Sequence, residues 1–200
     1  MSDRPPCTTC NGAGVLELVP KSGRAELVPC ACQPDEERWL AARIPRKYFS
    51  VPPSSLPAGE IAVSRYLWGP TGHGKTTQAV GILKRWARVK TRVLFVDLPD
   101  LEMRRRRAVE TGDEVGTEYL SAAFLVADDL CRQPRLTPFW EEYLSNLIRE
   151  RSNSNRPTIW TSNFSLEQVE GILDESVAGR IKEMCGDRIY EVEEHNWRLD

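Results

Sequence analysis

Two hundred residues, 40% of them hydrophobic and 28% charged, make an ordinary globular composition, enough for one medium domain and a small appendage. A formal net charge of −2 excludes a wholesale basic coat for nucleic acid, and no apolar run approaches the ~18 residues that would cross a bilayer, so no membrane partner is expected. The opening "MSDRPPCTTC" lacks the apolar stretch of a signal peptide; the expected compartment is the cytoplasm, where six cysteines point to metal or free thiols before disulfides.

Residues 1–38 read as a separate N-terminal module. Cys7 and Cys10 form C-x-x-C in "CTTCNGAG", Cys30 and Cys32 form C-x-C in "PCACQ", and nineteen residues lie between the two knuckles. Four thiolates so arranged can surround Zn²⁺ tetrahedrally in a closed, structural site. The alternatives are redox-active or unliganded thiols. Gly12 and Gly14 permit a tight turn beside the first knuckle, and "VLELVPKSGRAELVP" reads as a hairpin turning near Ser22-Gly23. So short a segment cannot bury a core of its own, which gives a metal staple a physical use. Cys131 and Cys185 have no comparable partners and read as buried apolar residues.

Residues 39–60 read as a linker: the helix "PDEERWLAARI" runs into it, and the Pro/Ser-rich "VPPSSLPAGE" follows. From residue 61 to 200 the apolar runs "IAVSRYLW", "RVLFVD", "AAFLVA", "PTIWTS" and "RIYEVE" alternate with amphipathic stretches. Strand–helix alternation of this kind predicts an α/β fold with a five-stranded parallel sheet covered by helices on both faces. In "FWEEYLSNLIRE", Trp140, Tyr143, Leu144, Leu147 and Ile148 form one stripe at helical spacing and are expected in the core. Ser165 with Gln168 three positions on is a capping-box signature.

Chemistry enters with "LWGPTGHGKTT". Gly69-Pro70-Thr71-Gly72-His73-Gly74-Lys75-Thr76 fits G-x-x-x-x-G-K-[ST], and Thr77 follows it. Backbone N–H groups of such a loop cradle phosphate oxygens, the lysine reaches the terminal phosphates and the Thr76 hydroxyl can ligate Mg²⁺, so ATP with Mg²⁺ is the expected ligand. "AAFLVADDL" delivers Asp128 and Asp129 to the carboxyl end of a strand, where α/β sheets bind ligands. Asp128 would hold Mg²⁺ through its water shell and Asp129 would orient or deprotonate the attacking water; the plainer reading is an acidic pair capping the next helix. "PTIWTSN" brings Asn163 to the same edge, as a γ-phosphate sensor or as a turn residue. Arg104 to Arg107 follow the strand "RVLFVD"; four consecutive residues cannot share one helix face, and they read equally as a DNA-phosphate contact or as a solvated face balanced by Glu102, Glu110 and Glu114.

From about Ile44 onward the segments "ARIPRKYF", "LWGPTGHGKTT", "LFVDLPDL", "FLVADDL", "TIWTSNFS" and "SVAGRI" resemble AAA+ ATPases of the bacterial and phage helicase-loader group, the DnaC/DnaI type with its IstB-like relatives. The resemblance implies an AAA+ P-loop core in which Lys75 and Thr76 bind phosphate and Mg²⁺, Asp128 is the Walker B acid, Asp129 the catalytic carboxylate and Asn163 the first sensor. Arg180 falls where the family keeps its arginine finger, which acts on a neighbouring subunit's nucleotide and so implies self-association through the ATPase interface; the plain reading is an exposed helical arginine. Arg198 is implied as a second-sensor or C-terminal arginine. The implied function is ATP-driven delivery of a hexameric replicative helicase onto single-stranded DNA, with the zinc module and the helix around Trp39 as the helicase contact. Two departures stand out: Asp129 occupies a position where many AAA+ proteins use Glu, which predicts slow turnover suited to a switch, and no helical lid of ordinary size precedes Asp200. An IstB-like transposition helper and a non-hydrolysing nucleotide-gated adaptor are the competing readings.

Overall fold

The computed structural model describes residues 7–10, 15–18, 26–30, 32, 35–88 and 92–193. At the N-terminal end, strands β1 (Val15–Leu18) and β2 (Glu26–Pro29) pair antiparallel, so the predicted hairpin forms; its Ser22-Gly23 turn lies outside the described residues, as do Gly12 and Gly14. Helix α1 (Asp35–Ala41) follows, with three carboxylates in its first turn complementing the positive end of the helix dipole.

The remaining strands are β3 (Arg65–Trp68), β4 (Val93–Asp97), β5 (Phe124–Leu130), β6 (Thr158–Ser162) and β7 (Ile189–Glu191), in the sheet order β4-β5-β6-β3-β7 and parallel throughout. The five-stranded parallel sheet expected from the sequence is therefore the observed one. "IAVSRYLW" is shorter as a strand than its apolar content suggests: Ile61 closes the short helix α2 (Ala58–Ile61), and pairing begins only at Arg65.

Residues alternate across the sheet. Leu125, Ala127 and Leu130 of β5 face one core with Leu144, Leu147 and Ile148, whereas Phe124 and Val126 face the other with Val80 and Leu83. Helix α3 (Lys75–Ala87) covers the second face; α4 (Leu98–Thr111), α5 (Thr117–Ser121), α6 (Pro138–Asn153), α7 (Leu166–Ile172) and α8 (Glu175–Cys185) build the first. The whole predicted stripe of α6 is buried, as are Cys131 and Cys185, and α7 carries the capping box between Ser165 and Gln168.

Two buried cations fasten the outer elements. Arg151, fully buried, donates to the carbonyls of Tyr119, Ala122 and Pro157 and to Thr158 Oγ1, tying α6 to α5 and β6. Lys84, also fully buried, donates to the carbonyls of Tyr48, Phe49 and Val51 at 2.7, 2.9 and 2.6 Å and lies 3.6 Å from the centre of the Trp39 ring. The linker is thus bound to α3 at Trp39 and at residues 48–51. The Ala42 carbonyl, in the turn after α1, accepts from Phe95 N–H on the edge strand β4 at 2.8 Å. The Trp39 ring meets Phe49 edge-on and packs against the core, and Leu40 of α1 is exposed.

Candidate nucleotide site

The loop between β3 and α3 needs residues without a Cβ. Gly69 has φ 135°, and a Cβ there would stand 2.6 Å from the Val192 carbonyl oxygen, because Val192 N–H donates to the Trp68 carbonyl at 2.7 Å and draws the chain after β7 across the loop. Gly74, at φ 86°, is the left-handed N-cap from which α3 starts at Lys75. The first turn of α3 consequently directs backbone N–H groups toward the loop, the arrangement that binds anions.

Three elements converge there. Lys75 Nζ donates to the carbonyls of Gly69 and Pro70 at 2.6 and 2.8 Å and to Asn163 Oδ1 at 3.0 Å; Thr71 Oγ1 lies 3.4 Å from the same amide oxygen. Thr76 Oγ1 donates to Asp128 Oδ1 at 2.8 Å, and Thr161 Oγ1 donates to that oxygen at 2.6 Å. Thr161 in turn accepts from Asp129 N–H at 3.0 Å, so β6 holds both members of the acidic pair.

The pair does not sit at a simple strand end. β5 continues to Leu130 through a register shift between Ala127 and Leu130, and Asp129 and Cys131 take positive φ values of 60° and 54°. This bulge turns successive side chains out of the ordinary alternation. Asp128 is 5% exposed while Asp129 is half-buried on the same cleft wall. Burial pushes the Asp128 carboxyl up to about 6, with the negative charge of Asp129 adding to the rise and the two threonine hydroxyls opposing it.

Thr71, Lys75, Thr76, Asp128, Asp129 and Asn163 line a cleft of about 370 Å³. It also takes in four residues that the sequence did not single out as ligands: Lys47 and Tyr48 from the linker, Asp97 at the end of β4 and Arg132 after the bulge. Asp97 is the N-cap of α4, accepting from Asp100 N–H at 2.9 Å with Pro99 in the first turn; the "DLP" spelling carried that cap signal. The donor set fits a divalent cation: a buried carboxylate answered by two hydroxyls leaves negative charge uncompensated, and a hard oxygen site with a carboxylate and a hydroxyl suits Mg²⁺.

Arg180 lies elsewhere. It is on α8, where Nη1 donates to Asn153 Oδ1 at 3.3 Å at the far end of α6, outside its own chain's cleft. Arg198 lies outside the described residues. The arginine run is largely engaged within the chain: Arg104 pairs with Asp100 at 2.9 Å, Arg106 with Glu102 at 2.5 Å, and Arg105 stands 4.0 Å over the Tyr143 ring and donates to the Val115 carbonyl.

In the N-terminal module the sulfur atoms of Cys7, Cys10, Cys30 and Cys32 lie within 4.8 Å of one another. Cys7–Cys30 at 3.8 Å and Cys10–Cys32 at 3.6 Å are too long for disulfides and close to the edge, about 3.8 Å, of a tetrahedron with Zn–S bonds of ~2.3 Å. The four cysteines expected to make a metal site are therefore brought together at a size that would suit Zn²⁺.

No family model and no curated protein matches the chain. Solved structures do. The DnaC helicase loader aligns over 74% of this chain and 100% of its own, at 24% identity and a TM-score of 0.62. DnaI aligns over 78% of this chain and 94% of its own, at 21% and 0.60, and AMPPCP-bound DnaA from Aquifex aeolicus over 69% and 43%, at 16% and 0.56. At these identities the likeness is one of fold: an α/β core around a parallel sheet, preceded in this chain by a cysteine-bearing hairpin. No described helix is long and apolar enough to cross a membrane.

Proposed function

We propose that this chain is a slow, Mg²⁺-dependent ATPase that loads a hexameric replicative helicase onto single-stranded DNA and uses nucleotide state to hold and release it. One observation carries the reading: Lys75, Thr76, Asp128 and Asn163, from three separate elements, are joined by hydrogen bonds around one cleft. The fold shared with the DnaC helicase loader supports the choice of helicase loading over other ATPase roles.

When bound, Mg²⁺-ATP supplies the transferable γ-phosphoryl group and the metal charge that polarises it. The chain supplies position. Gly72, Gly74 and the first turn of α3 offer N–H donors to the phosphates, and Lys75 adds a cation that exchanges its carbonyl partners for phosphate oxygen. Thr76 and Asp128 hold the metal side. Asp129 takes the proton of the attacking water at its carboxylate, and being one methylene shorter than Glu it does so from farther away, which slows turnover. Because Asn163 Oδ1 accepts from Lys75, its amide N–H groups are the ones available to a phosphate oxygen. Arg180 acts on a second copy's nucleotide.

The test is co-purification with candidate hexameric helicases in ATP and then ADP. Retention in one state with release in the other is expected. Recovery of a transposase without helicase would transfer the chain to the transposition-helper role, and single-turnover assays with no hydrolysis under any condition would leave a nucleotide-gated adaptor.

A further inference from the structure

We infer that Arg132 distinguishes the triphosphate from the diphosphate within its own chain, its guanidinium meeting the γ-phosphate that Asp129 would otherwise repel. The inference rests on the nucleotide-site reading above and adds to that site a residue that neither the glycine-rich loop nor the acidic pair calls for.

The charges of the cleft set the problem. A carboxylate that orients water against the γ-phosphate must stand near it, and two anions at that range repel, the more strongly where the walls exclude water. Asp128 is answered by the Thr76 and Thr161 hydroxyls and belongs to the metal side, which leaves Asp129 facing the phosphate. Two of the cleft's cations come from other directions. Lys75 is bonded to the Gly69 and Pro70 carbonyls and to Asn163, and Lys47 arrives from the linker, its ammonium 4.9 Å from the centre of the Tyr48 ring. Arg132 stands three positions after Asp129 and lines the same wall.

The backbone that carries Arg132 is held firmly. Asp129 N–H donates to Thr161 Oγ1 at 3.0 Å, the Leu130 carbonyl accepts from Ser162 Oγ at 2.7 Å, and Cys131 is buried. Asp129 and Cys131 both keep left-handed backbone, φ 60° and 54°, which a residue with a side chain adopts only where its surroundings enforce it. Regular strand alternation would send residues 128 and 129 to opposite faces of the sheet. The bulge instead brings Asp128, Asp129 and Arg132 to one cleft.

The guanidinium itself is uncommitted. Arg132 is exposed and makes no hydrogen bond or ion pair with the described residues. It also borders a second cleft of about 520 Å³ between α4, the loop after β5 and the first turn of α6, but that cleft offers it no better partner. Among the described residues the carboxylate there besides Asp129 is Glu102, which Arg106 already holds at 2.5 Å. An arginine with a fixed base and a free planar fork suits a phosphate, whose oxygens accept two parallel N–H donors. Because Arg132 belongs to the chain that forms the cleft, it acts without a second copy, in contrast to Arg180.

Isothermal titration calorimetry of the full chain in Mg²⁺ tests this with two ligands, ADP and AMPPCP, a triphosphate analogue that is not hydrolysed. Arg132→Ala should weaken AMPPCP binding about tenfold or more and change ADP binding by less than about twofold. Retained ADP affinity shows in the same experiment that the fold and the loop are intact. Arg132→Lys should fall between wild type and Arg132→Ala, since it keeps the charge and loses the fork. The same selective loss should appear when Arg132→Ala is made in an Arg180→Ala chain, where no Arg180 of a second copy contributes. Equal losses for the two ligands, or no loss for either, overturn the inference and leave the site standing, with Arg132 only offsetting Asp129 or facing solvent. A selective loss that disappears in the Arg180→Ala chain also overturns it, because the discrimination then arises between copies. A wild-type chain that binds neither ligand overturns the site reading and the inference with it.

Discussion

Thr76 Oγ1 and Thr161 Oγ1 both donate to Asp128 Oδ1, at 2.8 and 2.6 Å, so a hydroxyl from α3 and another from β6 converge on one oxygen of a buried carboxylate. Two neutral donors are weak compensation for a charge taken out of water, which is why the Asp128 carboxyl is pushed up to about 6 from an ordinary 3.8. The site is tuned for a cation at the expense of the empty protein.

The sign of that expense is fixed. The folded chain holds a proton on Asp128 over a pH range in which the unfolded chain does not, so stability falls as pH rises from about 4 to about 6 and stays lower above it. In EDTA, Asp128→Asn should therefore raise the free energy of unfolding at pH 7–8 by up to about 3 kcal/mol, and the gain should vanish near pH 4. In Mg²⁺-ATP the same variant should lose hydrolysis by at least about a hundredfold. Urea titrations across the pH range measure the first effect; a variant no more stable than wild type at pH 8 would mean that Asp128 bears no burden in the empty site.

Lys84 predicts the behaviour of the linker. Its ammonium satisfies three carbonyls of the segment 48–51, and Lys84→Met would leave them facing an apolar side chain. A loss of about 3 kcal/mol is expected, seen as a thermal midpoint lower by about 6–12 °C. Because Lys47 and Tyr48 line the nucleotide cleft, nucleotide affinity should fall in the same variant. A midpoint within about 2 °C of wild type would show that the linker is held by other contacts.

The cysteine cluster predicts one tightly held zinc per chain by elemental analysis. Cys30→Ser should abolish the stoichiometric zinc, and removal of zinc by a chelator should abolish amide-exchange protection in β1 and β2 while leaving β4 and β5 protected, since the two sheets are separate. Full-length chain that contains no zinc after purification without chelators would return the cysteines to a redox or unliganded role.

Much of the site was legible because its signals are local. The glycine spacing of residues 69–76 needs no tertiary knowledge, nor do the capping box at Ser165 or the α6 stripe, since each is written within a turn or two. The unread parts depend on distant strands. The bulge that sets Asp128 and Asp129 on one wall follows from β5 pairing with β6, and Tyr48 reaches the cleft because Lys84, thirty-odd positions on, holds its carbonyl. Arg132 carried no motif at all. The arginine run is the instructive middle case: Asp100–Arg104 and Glu102–Arg106 are both i,i+4 pairs, so two of its four charges could have been paired from spacing alone.

Arg180 gives the sharpest test of action between copies, because its place at the far end of α6 removes it from its own nucleotide. Arg180→Ala should keep nucleotide affinity and lose turnover by roughly a thousandfold, the scale of an arginine supplied from outside the site. Loss alone would not distinguish a trans-acting group from a damaged fold, but mixing does. Lys75→Ala chains cannot hydrolyse, yet they carry an intact Arg180; Arg180→Ala chains carry an intact cleft. If the arginine completes a neighbour's site, an equal mixture of the two inactive variants regains turnover at the junctions where a Lys75→Ala chain presents its α8 to an Arg180→Ala chain. If Arg180 acts within its own chain, or only through its hydrogen bond to Asn153, no mixture exceeds the sum of the separate variants, and the arginine has no catalytic role between subunits.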